Sequence, residues 1–199
     1  MTRITTLTAA FAAMLALLGS GAQSHAAAAD RLEPPPVPAD LEVDAEFRPY
    51  LISHAVGTQN YGCLPAGTGV AWTLLGPQAT LFDGSVDQVM THYLSPNPQE
   101  AGIARATWRH SRDTSAVWAV AVATSVDAAY VAPGAIAWLK LEVRGAQYGP
   151  NGGSTLVRTK FIQRVNTAGG VAPAAGCASA SDIGKRVFVP YTTDYVFYR

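Results

Sequence analysis

Apolar and polar residues alternate with a period of two along most of the chain from Tyr50 onward. The clearest case is residues 136–144, where Leu139, Leu141 and Val143 fall on one face and charged residues fall on the other. A period of two is typical of a β-strand with one buried face. No stretch in this part of the chain keeps the 3.6-residue period of an amphipathic helix. The pattern therefore predicts an all-β protein.

Residues 156–165 repeat this alternation. Val157, Phe161 and Val165 are predicted to face the core. Arg164 falls on the opposite face together with other cationic residues, and it is predicted to face solvent. A charged outer face of this kind is typical of a sheet that is wet on one side.

Clusters of glycine and proline separate the alternating runs, at residues 76–77, 96–98, 133–134 and 149–153. Such clusters mark turns and divide the chain into about nine or ten strands. Without helical segments to cross over between parallel strands, neighbouring strands should be antiparallel. We therefore predict a single antiparallel β-sandwich over residues 49–199, with a partly closed β-barrel as the alternative.

The first 28 residues have the three parts of a secretory signal peptide. A basic start with Arg3 precedes an apolar stretch at residues 7–18 and an A-x-A-like cleavage site near residues 26–29. The apolar stretch is shorter than the ~20 residues of a membrane-spanning helix. We expect cleavage and a secreted or periplasmic product without a membrane anchor. Residues 29–48 carry a proline run and are predicted to form an extended arm before the domain.

The chain has two cysteines, Cys63 and Cys177. Two cysteines in an exported chain are usually paired, so we predict a disulfide between them. Two buried thiols or a metal site are the alternatives, although the spacing lacks the CxxC pairs of a zinc site. Closing a loop this long stabilises a fold by ~4 kcal/mol in the chain-entropy view.

The charge balance argues against one large class of partner. The 199 residues have a formal net charge of zero, and loss of the signal peptide leaves 13 basic against 14 acidic side chains. Nucleic-acid binding requires a basic excess or a basic stripe, so we predict no nucleic-acid partner. Arginine outnumbers lysine 11 to 3, which is typical of a GC-rich bacterial genome.

The sequence lacks the GxSxG, HExxH, phosphate-loop and calcium-loop motifs. Three histidines remain after cleavage: His54, His92 and His110. His92 is the candidate general base, with Asp83 or Asp87 as the acid that pairs with it. Three imidazoles on neighbouring strands would also suit copper or zinc. No ligand spacing indicates such a site, so no cofactor is predicted and a transition metal is kept as the alternative.

Aromatic residues suggest a second kind of site. Trp108 lies among arginines, which favours an exposed or rim position. Exposed tryptophan and tyrosine side chains stack on sugar rings and aromatic ligands. We predict a binding site near His92, Tyr93, Trp108 and Arg109, with Asp83 beside it.

Residues 161–177, FIQRVNTAGGVAPAAGC, begin as a strand and break at Gly169 and Gly170. Gln163, Arg164 and Asn166 precede the break. We predict that these three polar side chains hold the glycine loop against the rest of the domain. Ligand contact is the alternative.

Five short motifs occur in a fixed order: GTQNYGC (57–63), GPQATLFD (76–83), THY (91–93), IQRVNTAGG (162–170) and PYTTDYVFY (190–198). Their order resembles the secreted family known as domain of unknown function 3455, and IQRVNTAGG is the most specific part. The resemblance covers nearly the whole chain after about residue 50. It implies export, a β-rich fold and paired cysteines, without an established activity. A Gly-Pro-Thr-Trp-Glu run expected soon after THY is replaced here by LSPNPQEAG.

These features predict a secreted, disulfide-stabilised β domain that binds a small molecule, a glycan or a cell-surface component. The first alternative is a metal-dependent or histidine-based enzyme centred on His92. The second is a structural protein of the cell envelope. We favour binding over catalysis because no catalytic motif is present, and no feature of the sequence indicates an oligomeric state.

Overall fold

The computed structural model of the protein describes residues 32–199. These residues contain eight β-strands, numbered β1 to β8 in chain order: Pro49–Ala66, Gly69–Phe82, Gln88–Pro96, Ala104–His110, Ala116–Ser125, Trp138–Gln147, Phe161–Gly169 and Arg186–Tyr198. Three single-turn 3-10 helices lie at Ala39–Leu41, Pro98–Glu100 and Ala180–Asp182. Within residues 32–199, no helix is long and apolar enough to cross a membrane. The predicted signal peptide, residues 1–28, and the first residues of the predicted arm lie outside the described residues.

Each strand pairs with its neighbour in the chain, and β8 pairs with β1, so the sheet closes into an eight-stranded barrel. All eight pairings are antiparallel. The predicted all-β antiparallel class is confirmed, but the preference for a sandwich is wrong and the barrel alternative holds. Strands of a sandwich and of a barrel each bury one face, so alternation along a strand does not distinguish the two.

The predicted turn at residues 76–77 lies inside a continuous strand, which is one reason why the sheet has eight strands and not nine or ten. Gly76 and Pro77 lie within β2, next to a register shift between Asn60 and Tyr61 of β1. Pro190 lies within β8, opposite Thr58. A β-bulge absorbs an irregular residue by bending the strand without ending it.

The barrel interior holds the main hydrophobic core. Leu141, Ile162 and Phe197 lie side by side on neighbouring strands and are buried there. The predicted inward face of β6 is confirmed. The predicted orientation of β7 is wrong, because Ile162 faces the interior while Phe161 and Val165 pack on the outside. Both faces of β7 carry apolar residues, so the sequence pattern does not show which of the two faces the barrel interior.

The N-terminal arm covers this outer apolar face. Leu41 is fully buried and packs in a cluster with Val165, Val196 and Tyr198. Gln163 Nε2 donates to the Leu41 carbonyl oxygen at 2.7 Å, and Gln163 Oε1 accepts from the Tyr198 hydroxyl at 2.6 Å. The described part of the arm is therefore a packed layer on the barrel, and not only a spacer before it.

The connection between β6 and β7 closes one end of the barrel. Its Leu156 is fully buried against the core. The Leu156 N–H donates to Ser115 Oγ at 3.2 Å, and the Thr155 N–H donates to an Asp113 carboxylate oxygen at 2.8 Å. Gly149 lies against the Asp113 carbonyl oxygen, where a Cβ atom would collide. Asp113 thus anchors the segment that seals this end.

The Asp113 carboxylate should make the sealed end sensitive to acid. Burial raises its pKa, but hydrogen bonds from Thr155 and Ser115 outweigh burial and hold the pKa below its usual range. A carboxyl whose folded pKa lies below the unfolded value of about 3.9 stabilises the fold above that pH, and the effect fades as pH falls toward the folded pKa. We expect D113N to lower the free energy of unfolding by about 1–3 kcal/mol at neutral pH. Urea denaturation should show a smaller loss below about pH 3.

D40N provides the control, because Asp40 is an exposed acid of the arm. This variant should leave the urea midpoint unchanged at both pH values. An effect of D113N that is equally large in acid and at neutral pH would show that the charge of Asp113 is not what stabilises the sealed end.

Candidate binding site

The opposite end of the barrel is open and leads into a cavity of about 330 Å³. All eight strands contribute to its wall. Ala106, Ala119 and Ala121 are among the lining residues, and their small side chains leave the space that bulkier residues fill nearer the closed end. A volume of this size lies within the range of small-molecule sites.

Three rings form the floor of the cavity. His92 stacks on Trp108 with ring centroids 4.2 Å apart and planes 16° apart. Tyr195 meets both rings edge-on, at 5.1 Å from His92 and 5.2 Å from Trp108. All three side chains are buried. Stacked and edge-to-face contacts of this kind give a rigid floor.

His92 is a neutral hydrogen-bond acceptor within this floor. Its Nδ1 lies 2.9 Å from the Thr107 carbonyl oxygen. Since a carbonyl oxygen can only accept, Nδ1 carries the proton and Nε2 keeps a lone pair. Burial lowers the pKa of His92 to about 3; the Thr107 hydrogen bond opposes this shift, and the charge of Arg164 adds to it.

Arg164 brings a positive charge to the cavity wall. It lies two residues after Ile162 on β7, on the same inward face, and lines the cavity beside Tyr195. Its Nε and Nη2 donate to the Ala137 carbonyl oxygen at 3.1 and 2.8 Å. None of the ion pairs within residues 32–199 includes Arg164. Burial raises the pKa of Tyr195, and the Arg164 charge opposes that increase.

Five buried polar atoms of the barrel interior lack a hydrogen-bond partner among the described residues: Ser53 Oγ, Gln59 Nε2, Trp108 Nε1 and the hydroxyls of Tyr191 and Tyr195. Their residues are at most 2% exposed. Burial, and to a smaller extent Tyr195, raises the pKa of Tyr191, yet the two hydroxyls do not meet in hydrogen-bond geometry. A buried polar atom without a partner costs ~1–3 kcal/mol, so such atoms normally bind water or a ligand.

The rim of the cavity is mostly apolar. Leu74, Leu75 and Leu94 line the mouth and are 52%, 37% and 45% exposed. Arg105, also at the mouth, donates through Nε and Nη2 to the two carboxylate oxygens of Glu100, each at 2.8 Å. The hydrogen bonds from Arg105 lower the pKa of Glu100 to about 2. The second cation of the cavity is therefore neutralised, while Arg164 is not.

The predicted disulfide is confirmed: Cys63 and Cys177 are bonded, with their Cα atoms 5.5 Å apart. It joins the β1–β2 hairpin to the connection that precedes β8. In the same connection, the Gly170 carbonyl oxygen accepts from the Tyr61 hydroxyl at 2.7 Å. Gly170 has a φ of +86°, and a Cβ atom there would approach Tyr191 Cβ to 3.0 Å. Glycine lets this connection lie close against the barrel wall.

The predicted binding residues separate in the structure. His92 and Trp108 lie together at the cavity floor, whereas Tyr93 and Arg109 alternate with them and fall on the outer face. Asp83 lies in the β2–β3 turn, where it accepts hydrogen bonds from that turn. The predicted exposed or rim position of Trp108 is wrong, since this residue is fully buried. Arg109 follows Trp108 on β4 and faces outward; since neighbouring residues of a strand face opposite sides, Trp108 faces inward.

The three histidines lie apart. His54 contacts Asp194 at 2.6 Å on the outer face, and His110 lies 3.1 Å from Asp113 near the closed end. Nδ1 of His92 contacts a backbone carbonyl and not an acid. Across residues 32–199, no three histidine, cysteine or acidic side chains form a group that could hold a metal.

The residues predicted to hold the glycine loop also separate. Gln163 binds the arm on the outside, and Asn166 donates to an aspartate of the outer face at 2.8 Å. Gly169 and Gly170 have positive φ angles of 69° and 86°. Arg164 faces the cavity, contrary to its predicted position in solvent, and its bond to Ala137 is the one contact that resembles the predicted structural role.

Two cavity residues, Gln59 and Tyr195, were missed at the level of sequence. Tyr191, Tyr195 and Phe197 are an even number of positions apart and share one face of β8. This spacing would have identified an inward face along the strand. Pro190 lies within this strand and makes its continuity hard to see from the sequence. Gln59 lies in a long polar stretch with no pattern that distinguishes it.

A larger groove, with a volume of about 740 Å³, lies on the outside of β1, β2, β3 and β8. Its lining includes Tyr93 and Phe188. Phe188 is 59% exposed. None of the buried polar atoms without a partner belongs to the residues of this groove. The interior cavity is therefore the better candidate site, because its polar atoms are the ones that lack partners.

Residues 44–199 match the profile of a family described as protein of unknown function (DUF3455). The match covers nearly all of the described chain and confirms the resemblance given by the short motifs. No curated protein and no solved structure gives a significant match to the chain.

We expect His92 to stay neutral, with its proton on Nδ1, from pH 8 down to about pH 4, because burial holds its pKa near 3. Nitrogen-15 NMR of histidine-labelled protein distinguishes the two neutral tautomers and the imidazolium. A folded pKa below the unfolded value of about 6.5 also means that this group stabilises the fold above that pH and does so less as pH falls. An imidazolium signal for His92 above pH 5, or a proton on Nε2, would contradict this assignment.

Proposed function

Because the chain belongs to the DUF3455 family, whose function is unknown, we propose a function from its own cavity: the protein binds a small, largely apolar molecule in the open end of the barrel. Of the three predicted kinds of partner, the cavity favours the small molecule over a glycan or a cell-surface component. The disulfide is typical of proteins that act outside the cytoplasm. We therefore place this binding in the periplasm or outside the cell.

The observation that carries the proposal is the set of partnerless polar atoms at an aromatic floor. Gln59, Trp108 and Tyr195 each present such an atom and line the cavity. Ligand sites in proteins combine a mostly apolar wall with a few polar groups that fix orientation. The apolar rim and the buried polar floor match that description.

Catalysis by His92 has less support. A general base works best when its pKa lies near the working pH, whereas burial lowers the pKa of His92 to about 3. Its Nδ1 is oriented by a backbone carbonyl and not by a carboxylate. A purely structural role in the cell envelope would not explain why the cavity holds buried polar atoms that lack hydrogen-bond partners.

Filling the cavity should weaken binding. Ala121 lines the mouth of the cavity, and it pairs with Leu141 on the neighbouring strand β6. We expect A121W to weaken the binding of N-phenyl-1-naphthylamine, an uncharged probe that fluoresces in apolar surroundings, by about tenfold or more, or ~1.4 kcal/mol at least. Fluorescence titration of the purified protein measures the change.

V122W is the matched control, because Val122 is the next residue, is 45% exposed and does not line the cavity. It adds the same ring to the outer surface and should leave the titration curve unchanged. If the wild-type protein does not bind the probe, or if both variants bind it as the wild type does, the interior is not a ligand site.

A further inference from the structure

We propose that the ligand carries a carboxylate, and that Arg164 binds this group inside the cavity while the apolar body of the ligand lies on the aromatic floor. This inference rests on the proposed binding function and names the class of molecule that the site selects. It assigns to Arg164 a role in ligand recognition in addition to its bond to Ala137.

The interior has a positive charge without a compensating acid. Arg164 is part-buried, and the inward-facing residues described on the eight strands include no aspartate or glutamate. The other cation of the cavity wall, Arg105, is already bonded to Glu100 at the rim. His92 is neutral because burial lowers its pKa. A ligand with one negative charge would balance this interior.

The free hydrogen-bonding groups point to the same chemistry. An arginine has five N–H donors and no acceptor. Ala137 accepts from Nε and Nη2, which leaves further donors of the guanidinium for the neighbouring Tyr195 hydroxyl and for a ligand. Gln59 Nε2 and Trp108 Nε1 can only donate, and the Tyr195 hydroxyl is able to donate. Apart from the lone pair on His92 Nε2, these groups of the cavity are donors, and its ligand must supply acceptor oxygens.

A carboxylate satisfies these conditions. It has two oxygens, accepts several hydrogen bonds and matches the planar guanidinium. A phosphate with two charges would leave an excess of negative charge beside the single unpaired arginine. Stacked and edge-on rings at the floor, with an aliphatic rim, favour a flat apolar body on the carboxylate.

The test compares two probes of nearly the same shape: 2-naphthoate and neutral 2-naphthamide, in which an NH2 donor replaces one carboxylate oxygen. Isothermal titration calorimetry on the disulfide-bonded protein gives the ratio of their affinities. We expect the wild type to favour 2-naphthoate by about 10- to 100-fold, the usual value of a hydrogen bond to a charged group. R164M should bring this ratio close to one, and R164K should retain part of it.

R109M is the matched control, because Arg109 is an exposed arginine on the outer face and its loss changes the net charge by the same amount. Its affinity ratio should equal that of the wild type. Loss of the bond to Ala137 destabilises R164M whatever the ligand, so thermal unfolding and binding of N-phenyl-1-naphthylamine show whether the cavity remains formed. A merely structural role of Arg164 would weaken both naphthyl probes equally and leave their ratio unchanged.

The outcomes separate the two proposals. Equal binding of the two naphthyl probes by the wild type, or a preference for 2-naphthoate that persists in R164M, overturns the role of Arg164 and leaves the binding function intact. So does a protein that binds N-phenyl-1-naphthylamine but not 2-naphthoate. A protein that binds none of the three probes overturns the binding function itself.

Discussion

Pairing of β8 with β1 is the constraint on which the rest of the structure depends. This contact places Ser53 opposite Tyr195 and Gly57 opposite Tyr191, and it removes the last unpaired edge of the sheet. A Cβ atom at Gly57 would collide with the backbone of Gln78 and Ala79, so a larger residue there would push β1 away from β2. Closure creates a single interior and brings residues of β3, β4, β7 and β8 to face one another across it.

The two ends of that interior differ in how they are filled. At one end Leu156 is drawn in as a plug and is held by hydrogen bonds to Asp113 and Ser115. At the other end small residues such as Ala106 and Ala121 line the wall, and the disulfide and Gly170 hold the long connection before β8 against it. The barrel is therefore a cup, with a packed base and an accessible mouth.

The buried polar atoms at the floor of this cup lower the stability of the fold. Each buried donor without a partner costs ~1–3 kcal/mol, and the interior holds several of them beside a part-buried guanidinium. Two apolar clusters offset this cost: the core beneath the floor, and a second cluster under the arm that contains Leu41 and Trp138. Natural proteins often keep such local strain where function needs it. A molecule that satisfies the donors would bind the folded state and raise its stability by mass action.

Local pattern was enough to predict strands, antiparallel pairing and the inward face of β6, because a period of two is a property of the backbone at each strand. The presence of two cysteines in a chain predicted to be exported was enough to predict the disulfide. Alternation also placed His92 on the face opposite Tyr93, and Trp108 on the face opposite Arg109, which is why one residue of each pair reached the cavity.

Only the tertiary structure decided that the sheet closes, that the arm covers the outside of β7, and hence that Arg164 faces inward. The sequence placed this arginine in solvent because β7 is apolar on both faces, and its orientation depends on contacts with residues more than a hundred positions away, such as Leu41. Alternation along one strand records that two faces differ, but which face becomes the interior is settled by long-range pairing.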